Sequence, residues 1–164
     1  MIALVRVDNR LVHGQVLVAW VPHLKAARLV VADDEAARNA LARAAMTLAL
    51  PPDLEASIEP VSSVDWVALA ASPRPALVVV REVADLSRAA KGGLAPALAP
   101  RLNLGNVHYA EGRRQVTASV FLSEAELETL RRLGAAGFAV EARAVPTDAA
   151  LDLAEIERRW AAAS

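Results

Sequence analysis

Short runs of nearly continuous apolar residues recur along the chain at the length of a β-strand. A run without polar alternation is typical of a strand that is buried on both faces of a parallel sheet. Four such runs, rich in the branched residues that favour strands, cover residues 2–7, 28–32, 76–80 and 116–122. Weaker candidates cover residues 55–60, 101–104 and 137–145. The last of these alternates apolar and charged positions, which predicts a wetter strand near an edge of the sheet.

Between these runs, apolar residues recur at the three- and four-residue spacing of amphipathic helices. The pattern predicts one helix across residues 37–48, with Arg38 and Arg43 on the face away from the apolar stripe. Capping residues and apolar stripes predict further helices that begin near Gly14, Ser62, Ser123 and Thr147. Alternating strands and helices predict an α/β fold, an open, mainly parallel sheet with helices on both faces. No repeat or linker divides the chain, so residues 1–164 are expected to form a single domain.

Composition and charge exclude several classes of protein. Of 164 residues, 55% are hydrophobic and 23% charged, which excludes disorder, and the longest uncharged stretch is shorter than the roughly 18 residues of a membrane span. Basic residues number 18 against 19 acidic ones, so we expect no nucleic-acid partner. The chain has no cysteine, and its three widely spaced histidines match no zinc motif, so we expect no bound metal. No basic and apolar leader is present at the N-terminus, so a cytoplasmic protein is expected.

The loop after the first predicted strand carries the most informative residues. It reads Asp-Asn-Arg-Leu-Val-His-Gly-Gln-Val over residues 8–16 and leads into an apolar helix. Ligands of open parallel sheets bind at such loops, and the free N–H groups and dipole at a helix start attract anions such as phosphate. Arg10 adds a planar donor for phosphate oxygens, and Gly14 lets the backbone approach closely.

The histidine of this loop, His13, is the candidate nucleophile. An imidazole can take up a phosphoryl group and pass it on without a cofactor. A hydrogen bond to Asp8 or Asn9 would fix which ring nitrogen is free to attack. The alternative is that His13 is an ordinary polar residue of a surface loop, and His23 and His108 are interpreted in that way.

Residues 8–16 resemble the phosphorylation-site segment of the IIB components of the mannose/fructose/sorbose family of bacterial sugar phosphotransferase systems, usually Asp-Asp-Arg-Leu-Ile-His-Gly-Gln-Val. The resemblance extends over nearly the whole chain. It includes a second strand with an acidic turn, an Asn-x-Gly loop and two C-terminal segments, at residues 30–34, 102–105, 123–133 and 145–148. It implies the same architecture that the hydrophobic pattern predicts independently.

The resemblance also implies a phosphocarrier in which His13 accepts a phosphoryl group on its δ1 nitrogen from a histidine of a IIA partner. The group would then pass to a sugar held by the membrane components IIC and IID, with the chain docked at the inner face of the membrane. By the same matching, the phosphate would be bound by Arg10, Leu11, Gly14 and Gln15. Supporting roles would fall to Asp8, Asn9, Asp33, Asn103 and Gly105. No cofactor is implied.

Two positions depart from the family pattern. Asn9 stands where the family has a second aspartate; the loss of a negative charge is expected to change how His13 is oriented or loses its proton. Asn106 stands where a second glycine is common, and its side chain is expected to narrow the loop beside the site. A partner would need a docking surface around His13, for which the candidates are Arg6, Arg10, Val12 and Trp20, with packing as the alternative. Trp20, on the first helix, is expected in the core.

Two other functions fit the same residues. In the first, phosphorylation of His13 changes a regulatory protein partner and does not feed transport. In the second, the chain is a small α/β ligand-binding protein that has lost the chemistry; Asn9 is the hint, and the presence of His13 beside Arg10 argues against it. The sequence does not identify the sugar, and it leaves open whether the chain forms a homo-oligomer.

Overall fold

The computed structural model describes residues 1–164 as one α/β domain built on a seven-stranded sheet. The strands are β1 (Ile2–Asp8), β2 (Arg28–Ala32), β3 (Glu55–Glu59), β4 (Ala76–Val80), β5 (Arg101–Asn106), β6 (Arg114–Gln115), β7 (Phe121–Leu122), β8 (Ala139–Ala142) and β9 (Leu151–Asp152). Helix α1 comprises a π-helical segment, Gln15–Trp20, and an α-helical turn, Val21–His23. The other helices are α2 (Asp34–Arg38), α3 (Ala40–Ala49), α4 (Trp66–Ala71), α5 (Val83–Lys91), α6 (Glu124–Ala135) and α7 (Leu153–Ala162).

The order of strands in the sheet is β3-β2-β4-β1-β5-β8-β9. All neighbours run parallel except β8 and β9, which confirms the predicted open, mainly parallel sheet. The chain leaves β1 toward β2 on one side, whereas it leaves β5 toward β8 on the other. β1 and β5 therefore flank the crevice in which open α/β sheets bind ligands.

Helices cover both faces of the sheet, as predicted. Helices α1 and α2 lie over one face, where Trp20 and Leu4 belong to a cluster of nine buried residues. Helices α4 to α7 cover the other face, with a cluster of 30 buried residues. Trp20 is fully buried, in agreement with its expected place in the core. No helix has the length and apolar character that would let it cross a membrane.

The apolar run at residues 116–122 was wrongly predicted to be a buried parallel strand. It folds instead as the end of a short antiparallel hairpin, in which β6 pairs with β7. The hydroxyl oxygen of Thr117 accepts hydrogen bonds from the backbone N–H groups of Ser119 and Val120. These local bonds turn the chain and compete with an extended ladder.

The single helix predicted across residues 37–48 is broken into α2 and α3 at Asn39. Asn39 has an extended backbone, and its side-chain oxygen accepts the N–H of Ala42, so it ends one helix and caps the next. The predicted apolar stripe of α3 also does not face the core, because Leu41 is 80% and Leu48 is 88% exposed. Met46 packs against the core instead.

Two other helix predictions need correction. The last helix is capped by Asp152, which accepts the N–H of Glu155, and not by Thr147. Residues 151–152 first pair with β8, and this pairing delays the helix. The helix predicted to begin near Ser62 begins at Trp66 and is capped by Asp65, which accepts the N–H of Ala68. Helix α5 was not predicted at all; its buried stripe is short and consists of Val83, Leu86 and Ala89.

Candidate active site

The loop between β1 and α1 folds back sharply at the carboxyl edge of the sheet. Leu11 adopts a φ of 56°, in the left-handed region that is strained for a residue with a side chain. Its N–H bonds to the carbonyl of Asp8 at 3.0 Å, and its side chain is buried. The turn carries His13 back over the end of the strand from which the loop started.

The ring of His13 is held by Asp8. The Nε2 atom of the ring lies 2.8 Å from Oδ2 of the buried carboxylate. An ionised carboxylate can only accept a hydrogen bond, so Nε2 must carry the proton. In the neutral ring, the lone pair is then on Nδ1, the nitrogen that is free to attack an electrophile.

Three positive or polar neighbours keep Asp8 ionised. Burial by itself opposes the charge, but hydrogen bonds from His13 and Arg10 and the positive charge of Arg6 lower the pKa of Asp8 to about 2. The guanidinium of Arg6 donates to Oδ2 at 2.9 Å. The backbone N–H of Arg10 and its Nε donate to Oδ1 at 3.1 and 3.2 Å. The carboxylate thus remains an ionised hydrogen-bond acceptor for His13 across the physiological range of pH.

Arg6 is fully buried and anchors this arrangement from beneath. Its guanidinium donates to Oδ1 of Asn103 at 2.7 Å and to the carbonyls of Arg143 and Ala144, both at 3.1 Å. It also lies 5.1 Å from the ring centre of Trp20. Burial lowers the pKa of Arg6, and the charge of Asp8 acts in the opposite direction. The guanidinium therefore joins β1, β5 and the segment after β8.

Gly105 leaves the space that the guanidinium occupies. A Cβ at this position would lie 1.9 Å from Cζ of Arg6 and 2.0 Å from Nη2. The backbone of this glycine has no positive φ, so it is the close approach, and not the backbone conformation, that requires glycine. Asn103 and Gly105 thus act on Arg6 and have no direct contact with His13 in the hydrogen-bond network.

The open side of the site is lined by Arg10, Gly14 and Gln15. Nη2 of Arg10 donates to Oε1 of Gln15 at 3.0 Å, and 37% of the arginine side chain is exposed. Gly14 precedes the first turn of α1, and no heavy atom lies within 4 Å of the position of a Cβ there. The first N–H groups of a helix have no acceptor inside the helix. A phosphate-sized anion can therefore meet a guanidinium and free backbone donors beside His13.

The two remaining supporting residues lie beside this site and do not touch the histidine. Asn9 donates from Nδ2 to the carbonyl of Arg81 at 2.8 Å and accepts the backbone N–H of His108. Asp33 accepts two hydrogen bonds from Arg81, at 2.9 and 2.8 Å, and caps α2. Asp8, and not Asn9, makes the hydrogen bond to the ring of His13.

Asn106 does not lie in a loop, contrary to expectation. It is the last residue of β5 and is level with Asp8 of β1. Its φ is not positive, so a side chain is accommodated there without backbone strain.

The candidate docking role of Arg6 is wrong, because its side chain is fully buried. Sequence reasoning missed the roles that Arg6 and Arg81 have instead. A signal was present for the first, because a single arginine interrupts the apolar run of β1 and a buried arginine needs a charged partner. No comparable signal marked Arg81, whose partner Asp33 is 48 residues away in the chain.

Comparison with known proteins agrees with this fold. The model of the PTS system sorbose subfamily IIB component matches residues 2–162. The N-acetylgalactosamine-specific phosphotransferase enzyme IIB component 2 of Escherichia coli is 33% identical over 93% of this chain and 96% of its own length. The fructose-specific EIIB component of Bacillus subtilis is 28% identical, with 96% of each chain covered. The chain also matches 48% of the mannose-specific EIIAB component of Escherichia coli, with 28% identity.

Two solved structures share this fold over nearly the whole chain. The structure of manxB from Thermoanaerobacter tengcongensis superposes with a TM-score of 0.85 and 26% identity, covering 98% of this chain and 96% of that one. The N-acetylgalactosamine-specific IIB component 1 from Escherichia coli gives a TM-score of 0.83 and 29% identity, covering 92% and 97%. The chain is therefore a component of a sugar phosphotransferase system. Within that class, it belongs to the sorbose subfamily of IIB components, which are phosphotransferases of sugar uptake.

Proposed function

We propose that His13 accepts a phosphoryl group from a phosphohistidine of a IIA protein and transfers it to a sugar held by membrane components IIC and IID. The observation that carries this proposal is the 2.8 Å contact between Nε2 of His13 and Oδ2 of Asp8. That contact leaves the lone pair on Nδ1 and orients the ring for attack.

The proposed transfer needs no net movement of a proton. The lone pair of Nδ1 attacks phosphorus in line, and the P–N bond to the donor histidine breaks. The donor ring carries a proton on its second nitrogen before the transfer, keeps it, and leaves as a neutral imidazole. His13 keeps its proton on Nε2 and becomes a cation. Asp8 then faces that cation directly, which stabilises the phosphorylated state. Most of the catalysis in such a transfer comes from position and electrostatics.

Arg10, Leu11, Gly14 and Gln15 are proposed to bind the transferred phosphoryl group. Arg10 is suited to this role because its guanidinium is partly exposed and held only by Asp8 and Gln15. Turning one donor from Gln15 to a phosphate oxygen would keep its ion pair with Asp8. The backbone N–H groups of Gly14 and Gln15 would supply further donors. The N–H of Leu11 now bonds to the carbonyl of Asp8 at 3.0 Å and would have to leave it to join them.

The supporting residues are proposed to preserve this geometry. Asp8 would fix the ring of His13, Asn103 and Gly105 would place Arg6 against Asp8, and Asn9 and Asp33 would hold neighbouring loops. We further propose that residues 1–164 act as one IIB domain of the mannose/sorbose type in the cytoplasm, docking to IIC and IID at the inner face of the membrane. The continuous sheet and the family match over residues 2–162 support this assignment.

The test is a reconstituted phosphoryl transfer. The wild type and His13→Gln are incubated with phosphoenolpyruvate, enzyme I, the histidine phosphocarrier protein and a IIA protein of the mannose family. Intact mass should show one acid-labile phosphoryl group on the wild type and none on His13→Gln. Adding vesicles that contain IIC, IID and a transported sugar should then discharge the wild type. A wild type that takes no phosphoryl group from a IIA protein able to phosphorylate a known IIB would contradict the proposal.

A further inference from the structure

Asn9 connects three loops at the carboxyl edge of the sheet. Its side-chain Nδ2 donates to the carbonyl of Arg81, which follows β4, at 2.8 Å. Its side-chain oxygen accepts the N–H of His108, which follows β5. Its own backbone N–H bonds to the carbonyl of Asn106 at 3.0 Å. The first residue of the histidine loop is thus fastened to the strands on both sides of β1.

The two side-chain bonds need one donor and one acceptor at the same distance from the backbone. An asparagine amide supplies both. An ionised aspartate has the same shape but only accepts, so it would place a carboxylate oxygen against the carbonyl of Arg81. A protonated aspartate, in contrast, has an O–H donor and a carbonyl acceptor and would restore both bonds.

The loop that Asn9 fastens contains a strained residue. Leu11 has a φ of 56°, and such a conformation persists only where the surroundings enforce it. The hydrogen bonds of Asn9 lie two residues before Leu11 and four before His13. Without them, the loop has fewer restraints against relaxation of Leu11, and His13 would move relative to Asp8.

We propose that Asn9 is a positioning residue for phosphoryl transfer, whose neutral amide holds the His13 loop in its strained form by bridging the loops after β4 and β5. This inference rests on the proposed function of His13. In this role, Asn9 acts on the reaction by holding the loop that carries His13, and it does not contact the phosphoryl group.

The experiment measures single-turnover transfer from phosphorylated IIA to the wild type, Asn9→Ala and Asn9→Asp. Loss of two hydrogen bonds of about 1 kcal/mol each predicts a fall of about 10-fold or more in the rate constant within the complex for Asn9→Ala. The IIA concentration for half-maximal rate should stay unchanged, because the side chain is not part of the docking chemistry. Asn106→Asp is the matched control, since it adds the same charge at the neighbouring strand end but leaves both side-chain bonds of Asn9 in place, and its rate should stay well above that of Asn9→Asp.

The dependence on pH separates the role of the amide from a general loss of stability. The rate of Asn9→Asp relative to the wild type should rise as the pH falls from about 6 to about 4, because an aspartate protonates at about pH 4 and the introduced carboxylate then regains a donor. The relative rate of Asn9→Ala should stay flat. A flat ratio for Asn9→Asp, or a wild-type rate for Asn9→Ala, would overturn the inference while leaving the proposed function intact. A wild type that accepts no phosphoryl group would overturn both.

Discussion

Replacing Gly105 with alanine tests whether the buried arginine beneath the site holds the fold together. The new Cβ would lie 1.9 Å from Cζ, 2.0 Å from Nη2 and 2.3 Å from Nη1 of Arg6. Unbonded heavy atoms at rest lie about 3.5 Å apart, so the guanidinium would have to retreat by roughly 1.5 Å. Its hydrogen bonds to Asn103 and Asp8 are now 2.7 and 2.9 Å long. A retreat of that size takes both beyond hydrogen-bond reach.

The expected cost is that of separating a buried ion pair. Asp8 and Arg6 are both fully buried, and a charge left without its partner in such a place costs about 3–5 kcal/mol. We therefore expect Gly105→Ala to lower the free energy of unfolding by that amount. Urea unfolding followed by circular dichroism measures it from the shift in midpoint at constant slope.

Gly14→Ala is the matched control for this change. Gly14 has a helical φ of −51° and no heavy atom within 4 Å of the added Cβ. Its free energy of unfolding should stay within about 1 kcal/mol of the wild type. Equal midpoints for Gly105→Ala, Gly14→Ala and the wild type would show that Arg6 has room to move without loss, contrary to this expectation.

Three further predictions follow from the same geometry. The pKa of Asp8 is about 2 in the folded protein, against an ordinary value of 3.8, so its ionisation stabilises the fold above about pH 4. Between about pH 5 and 2, the free energy of unfolding of the wild type should therefore fall by about 2 kcal/mol relative to Asp8→Asn, measured by urea unfolding. A difference that does not change with pH would contradict the ion pair. Asn39→Ala removes the cap of α3 and should lower the free energy of unfolding by about 1 kcal/mol in the same assay. Arg10→Lys keeps the charge but loses the planar fork, so single-turnover phosphoryl transfer should slow by about 10-fold or more with unfolding little changed; an unaltered rate would exclude Arg10 from phosphate binding.

The sequence predicted the parts of the fold that depend on local pattern. The bounds of β2 and β4 follow directly from their apolar runs, and the loop containing His13 was found from its position after β1. The break at Asn39 and the turn at Thr117 could not be predicted in the same way, because each depends on one side chain that bonds to the nearby backbone rather than continuing a helix or strand.

The charged and polar groups that surround Asp8 could not be predicted from local sequence pattern either. Arg6 meets Asn103 and the carbonyl of Arg143 across 97 and 137 residues of chain. Only the assembled sheet brings these groups together. A motif can name the histidine and the arginine of its own loop, but it does not say which distant groups keep Asp8 ionised.

The most direct test of the account is the identity of the phosphorylated nitrogen. After transfer from IIA, long-range ¹H–¹⁵N correlation spectra of the His13 ring distinguish the nitrogen bonded to phosphorus from the one bonded to hydrogen. The proposed mechanism places phosphorus on Nδ1 and retains the proton on Nε2, facing Asp8. Phosphorus on Nε2, or on any residue other than His13, would contradict it.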